Sequence, residues 1–240
     1  MSDPRKNLMF YGLMLVTGLV AASLSAFVSA GSPKPAGPSL GRAASFAVLG
    51  GSTVTNTGAT AITGDLGVSG PGVSVTGFPP GTMAQGTQHV GDPAANQAQF
   101  DAQSAYVVLA GKPCTTPLTG QDLGGKTLAP GVYCFTSSAQ LTGQLVLDGR
   151  GHGDDGVWVF QIASTLTTAT NSSVGMRKGA HAYNVFWQVG SAATLGTGTA
   201  FVGNILAYSS ITMNTASNLS GRALAREAVT MDSNNIHEPK

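Results

Sequence analysis

Charge is scarce in this chain of 240 residues: only 10% are Asp, Glu, Lys or Arg, against about a quarter in an average soluble domain. The 12 basic and 11 acidic residues nearly cancel, so there is no electrostatic footprint for nucleic acid or anionic lipid. With so few ionisable groups there is little from which to build acid–base chemistry. Aromatic residues are also few, at 7%, and a core of Val, Leu, Ile and Ala is expected. His89, His152, His181 and His237 are scattered. No HxxxH or HExxH spacing suggests a metal site, and no GxSxG or Walker motif suggests a nucleophile or a cofactor. No cofactor, metal, nucleic acid or small-molecule substrate is therefore expected. What fills the chain instead is Thr, Ser and 33 glycines.

The N-terminus carries a targeting pattern. Arg5 and Lys6 precede an apolar run from Leu8 to about Val28, and the small residues Val28 and Ala30 follow. Residues 1–30 match a secretory leader cleaved after Ala30; the run is also long enough to span a bilayer, so a retained anchor is the alternative. Either way the remainder lies outside the cytoplasm, secreted or tethered to the cell envelope, with membrane contact only if the leader is uncleaved. Residues 31–41, "GSPKPAGPSLG", form a Pro/Gly-rich linker, and residues 42–240 a single domain. Export also accounts for the only two cysteines, Cys114 and Cys134, as one disulfide. Closing a loop of that size is worth about 3 kcal/mol.

A repeat then sets the fold. "FVGNILAYSSITMNT" (Phe201 to Thr215) returns as "LSGRALAREAVTMDS" (Leu219 to Ser233), placing Gly203 on Gly221, Leu206 on Leu224, Ile211 on Val229 and Met213 on Met231, 18 residues apart. An earlier copy, "ATLGTGT", starts at Ala193, and "STLTTAT", from Ser164, lies 29 residues before that and demands an insertion. A return of about 18 to 20 residues with short alternating runs marks a solenoid of three strands per coil. A β-sandwich with Thr-rich strands is the alternative, but it needs no fixed return. Alternation turns Ala193, Leu195, Ile211, Met213, Val229 and Met231 inward. Thr165, Thr194, Thr212 and Thr230 then form one outward column, and Thr167, Gly196, Asn214 and Asp232 a second. The Asp232 charge is unfavourable at the C-terminal end of such a face.

One segment departs from the strand pattern. Asp92 as N-cap, Pro93 at the first helical position, Gly111 as stop and Pro113 beyond predict a helix over about 92–110. Phe100, Ser104, Val107 and Val108 share one side of it and are expected to lie against the solenoid. "GFPPGT" (Gly77 to Thr82) is a loop, and "GRGHGDDG" (Gly149 to Gly156), with His152, Asp154 and Asp155, is a turn rather than a calcium site, since its motif occurs once.

Several blocks carry a resemblance: "SFAVLGGSTVTNTGATAITGDLGVSG" (Ser45 to Gly70), "GFPPG", "LTGQDLGGKTLAPGVYCF", "GVWVFQIASTLTTA" and "NVFWQVGSAATLGTGTAFVGNILA". In sequence and order they resemble the DUF3494 ice-binding proteins, over about Leu40 to Asn235. The resemblance implies an irregular right-handed β-helix of triangular cross-section with one long α-helix alongside, binding ice by one flat face. No residue motif carries over, because the family's active face is a mixture of Thr, Ser, Ala and others. The candidates come from this chain's own columns: Thr53, Thr55, Thr165, Thr167, Thr194, Thr212, Asn214 and Thr230. The expected partner is an ice surface with its ordered water, met by a monomer. The alternative is a secreted structural or adhesive solenoid without ice activity. A polysaccharide-cleaving enzyme would need clustered acids and bases, and beyond Arg222, Arg226 and Glu227 near one corner the chain offers none.

Overall fold

The computed structural model describes residues 37–152 and 156–239. The leader, the first part of the linker, and Asp154 and Asp155 lie outside the described residues. The last residues of the linker are already packed, with Leu40 buried in the cluster beneath the helix.

All described strand pairs are parallel and group into three faces of a prism. Face A joins Ala139–Leu141, Leu166–Thr168, Ala193–Leu195, Ile211–Met213, Ala228–Met231, Thr53–Asn56 and Ser74–Thr76, in that order. Face B runs through Gln144–Asp148 and Ser173–Arg177 and ends on Ala61–Thr63 and Thr82–Ala84. Face C includes Gly131–Phe135, Trp158–Ile162, Val185–Val189, Phe46–Gly50 and Asp65–Val68. Faces B and C are continuous where Ala200–Ala207 and Asn218–Ala225 run unbroken round the bend, paired at all eight positions. Gly203 and Gly221 stand opposite each other there.

The stacking order is not the chain order. The coils built from residues 46–90 sit on the last coil, with Val54 on Val229 and Ile62 on Ile236. The coil that follows the helix, from Thr116, is at the opposite end. The chain must therefore travel the length of the stack between Val90 and Cys114, and the helix Pro93–Ala110 does so. Its 18 residues span about 27 Å, most of the roughly 38 Å that nine strands cover at 4.7–4.9 Å spacing.

The ends of that helix match expectation: the Asp92 side chain accepts from the Ala95 N–H at 2.8 Å, and the Gly111 N–H closes on Val107 O. The buried side does not. Ala95, Ala98, Ala102, Ala105 and Leu109 pack on Phe46, Leu49, Val159, Phe186, Leu206 and Leu224 of face C, while Phe100, Val107 and Val108 are 69%, 60% and 52% exposed. Face C supplies the large side chains, so only small helix residues permit close approach. Ala98→Leu is accordingly expected to cost about 1–3 kcal/mol through overpacking, while Phe100→Ala stays within about 0.5 kcal/mol of wild type. Urea unfolding of the two variants checks the order.

The interior departs from the aliphatic expectation in one respect. Tyr133, Phe160 and Trp187 occupy one register across three coils and stack, Phe160 and Trp187 with centroids 3.9 Å apart. The indole N–H of Trp187 donates to Val202 O and that of Trp158 to Leu128 O. At the end of face C, Cys114 and Cys134 are joined, with Cα atoms 5.9 Å apart. Arg222 is buried, donating to Ala44 O and Asn204 Oδ1, whereas Arg226 and Glu227 are exposed; the three are no cluster.

Candidate functional site

Face A is built from short strands, three or four residues each, and their alternation is clean. Ala139 and Leu141, Ala193 and Leu195, Ile211 and Met213, and Val229 and Met231 are all buried, as expected from the pattern. The residue between each pair faces out. Cross-strand register then stacks Gln140, Thr167, Thr194, Thr212, Thr230, Thr55 and Thr76 in a single column. Six consecutive members are threonine.

Thr165 does not belong to that column. Leu166 pairs with Ala193 and Thr167 with Thr194, so the spacing is 27 residues rather than 29. The similarity of "STL" to "ATL" misaligned the coil by two, an even slip that keeps the same side outward and so leaves the hydrophobic pattern unable to reveal it. The additional residues form the connection from face B to face C around residues 178–184, which later coils reduce to one glycine. Thr165 instead precedes the strand, beside Ala192, Ser210, Ala228, Thr53 and Ser74, and donates to Ser138 Oγ at 2.8 Å. Asn214 and Asp232 lie in the opposite flank with Thr57 and Gly196. Thr167 leaves that flank for the central column.

The six central threonines share a property that decides their chemistry. None of their hydroxyls bonds another atom among the described residues, so each is available to water. In the flanks only some hydroxyls turn back on the protein: Thr165 donates to Ser138 Oγ and Thr57 to Met231 O, whereas those of Thr53, Ser74 and Ser210 bond no atom among the described residues. Asp232 Oδ2 accepts from Thr215 Oγ1 at 2.5 Å and Oδ1 from Ser233 Oγ at 3.1 Å. These hydroxyls hold the Asp232 carboxyl below the usual carboxylate range. Nor does Asp232 end the face, because the strands Thr53–Asn56 and Ser74–Thr76 stack beyond it.

A depressed carboxyl pKa keeps the group ionised at and above its ordinary range near 3.9, and protonation enters only below that. Among the described residues, Asp232 is the only ionisable side chain in the three columns of face A. Any activity of this face is therefore expected to be the same at pH 5 and pH 9, checked by following crystal growth in buffers at both values.

Sequence reasoning missed Gln140 and Thr76. The signal for Thr76 was available, since "SVTG" repeats the alternation of "TVTN", but its 21-residue offset passes through a corner of different length. Among the described residues no group of His, Cys, Asp and Glu is arranged to hold a metal.

A sequence profile described as ice-binding-like matches residues 48–237. An ice-binding protein of Nostoc sp. (strain HG1) is 58% identical over 199 residues, covering 82% of this chain and 72% of that protein. The crystal structure of an ice binding protein from an Antarctic biological consortium superposes with a TM-score of 0.82 at 46% identity, over 87% of this chain and 94% of the other. That of an ice-binding protein from the Antarctic ascomycete Antarctomyces psychrotrophicus gives 0.81 at 44% identity, over 84% and 98%.

Proposed function

The chain belongs to the ice-binding-like family, and from that premise we propose that it adsorbs to ice through face A, outside the cell and without catalysing a reaction. The observation that carries the choice of face is the unbroken column of six threonines with unbonded hydroxyls. Threonine presents a methyl and a hydroxyl at one point, so an array of them cages water and anchors it together. Parallel pairing repeats that unit every 4.7–4.9 Å. Threonine is stiff about χ1, and the strand ladder fixes each backbone, so little conformational entropy is lost on adsorption. Each contact is weak, but many act at once, and an attached growth front curves and stalls.

Face B is less suited. Its outward register mixes Gln144, Ser173, Ala200, Asn218, Asn235 and Ala61, and one end carries Arg177 paired with Asp148 at 3.0 Å. Such charges hold liquid-like hydration. Face C is covered by the helix. Right-handed winding is expected from the strong preference of parallel crossovers. The N-terminal targeting pattern supports export.

Purified protein is expected to facet growing ice crystals, to slow recrystallisation and to be enriched in slowly grown ice. Protein that stays in the liquid would instead identify an adhesive or structural module.

A further inference from the structure

Beside the helix runs an open groove of about 390 Å³, within the range of ligand sites. One wall is a stripe of the helix, Asn96, Gln99, Phe100 and Gln103, at the i, i+3, i+4, i+7 spacing of one side. The other wall is the corner where face C turns into face A. Tyr208 and Arg226 occupy that corner in successive coils, and the coils beyond them present only Gly51 and then the small pair Ser69 and Gly70. Gly51 lies on the Arg226 backbone, where a Cβ would meet the Arg226 carbonyl oxygen at 1.9 Å, and Gly70 follows over Gly51 O. The groove is open here because a clash restricts the first position to glycine and a φ of +102° favours glycine at Gly70.

Its polar groups are unusually free. The Arg226 guanidinium sits 4.7 Å over the Tyr208 ring and has no carboxylate partner among the described residues. Gln99 Nε2 donates to Ala225 O at 3.2 Å, leaving a buried Oε1 with no hydrogen-bond partner among the described residues. Asn96 Oδ1 accepts from the Gly70 N–H at 2.9 Å, and its amide NH₂ is uncommitted. Gln103 bonds no described atom, and Phe100 exposes its ring.

Planar amides that both donate and accept suit adjacent hydroxyls. An unneutralised guanidinium suits a carboxylate, which it takes in bidentate fashion. An exposed ring suits the apolar side of a sugar. We propose that this groove binds a carboxylated polysaccharide of the uronate type, beside the threonine columns and independent of them. The protein then holds an acidic matrix and ice together.

Native electrophoresis of the purified protein through gels containing polygalacturonate tests this. Retardation is expected, with none in fully methyl-esterified pectin or in dextran. Arg226→Gln is expected to weaken binding at least tenfold and Gln103→Leu severalfold, both keeping wild-type ice shaping and melting temperature, while Arg177→Gln on face B stays at wild-type retardation. Absence of retardation in polygalacturonate, equal retardation in the esterified polymer, or equal retardation of wild type, Arg226→Gln and Gln103→Leu overturns the proposal.

Discussion

Thr194→Tyr abolishes ice shaping while leaving the melting temperature within a degree or two of wild type; that is the expected result of the most informative substitution. Thr194 sits in the middle of the central column, with Thr167 on one side and Thr212 on the other. Its side chain is outward and makes no hydrogen bond among the described residues, so its replacement removes no hydrogen bond there, and exposed substitutions of this kind stay within about 0.5 kcal/mol. A tyrosine ring, however, stands above the plane of its neighbours and holds several coils away from a flat surface. Because adsorption depends on many contacts made together, a single protrusion removes more than its own share. Thr212→Tyr is expected to act alike, and Ser220→Tyr on face B to leave activity unchanged. Crystal shape and recrystallisation rate, measured beside thermal unfolding, check all three. Loss in Ser220→Tyr alone would move the active surface to face B.

The second large effect concerns the fold. Gly221→Ala is expected to destabilise by at least about 3 kcal/mol, lowering the melting temperature by about 10 °C in a domain of this size. A Cβ at Gly221 would stand 1.9 Å from the Gly203 carbonyl oxygen, which belongs to backbone and cannot swing aside. Relief requires the two strands to separate, yet they are paired at every position from Ala200 to Ala207. Gly72 is the control: its φ is +71° but a Cβ there meets nothing within 4 Å, so Gly72→Ala carries only the left-handed backbone cost of about 1–2 kcal/mol. Thermal unfolding of both variants measures the difference, and equal losses would show that the bend yields.

The sequence by itself determined the coil. The 18-residue return from Ile211–Met213 to Val229–Met231, with apolar residues alternating, specifies strands stacked in register with one side inward, because alternation and a fixed period are local properties. The helix limits were legible for the same reason: Asp92, Pro93 and Gly111 act within one turn of themselves. Tertiary structure decided what depends on neighbours distant in sequence. Which side of the helix is buried followed from the bulk of Phe46, Phe186 and Leu206 opposite it, and the small alanines, not Phe100 and Val107, fitted against them. Thr167 rather than Thr165 joined the column because strand hydrogen bonds, not similarity of tripeptides, set register. The last decision was the largest. Coils from residues 46–90 closed on the final coil, and that long-range pairing extended four threonines to six, since no local pattern states which end of a stack receives the start of the chain.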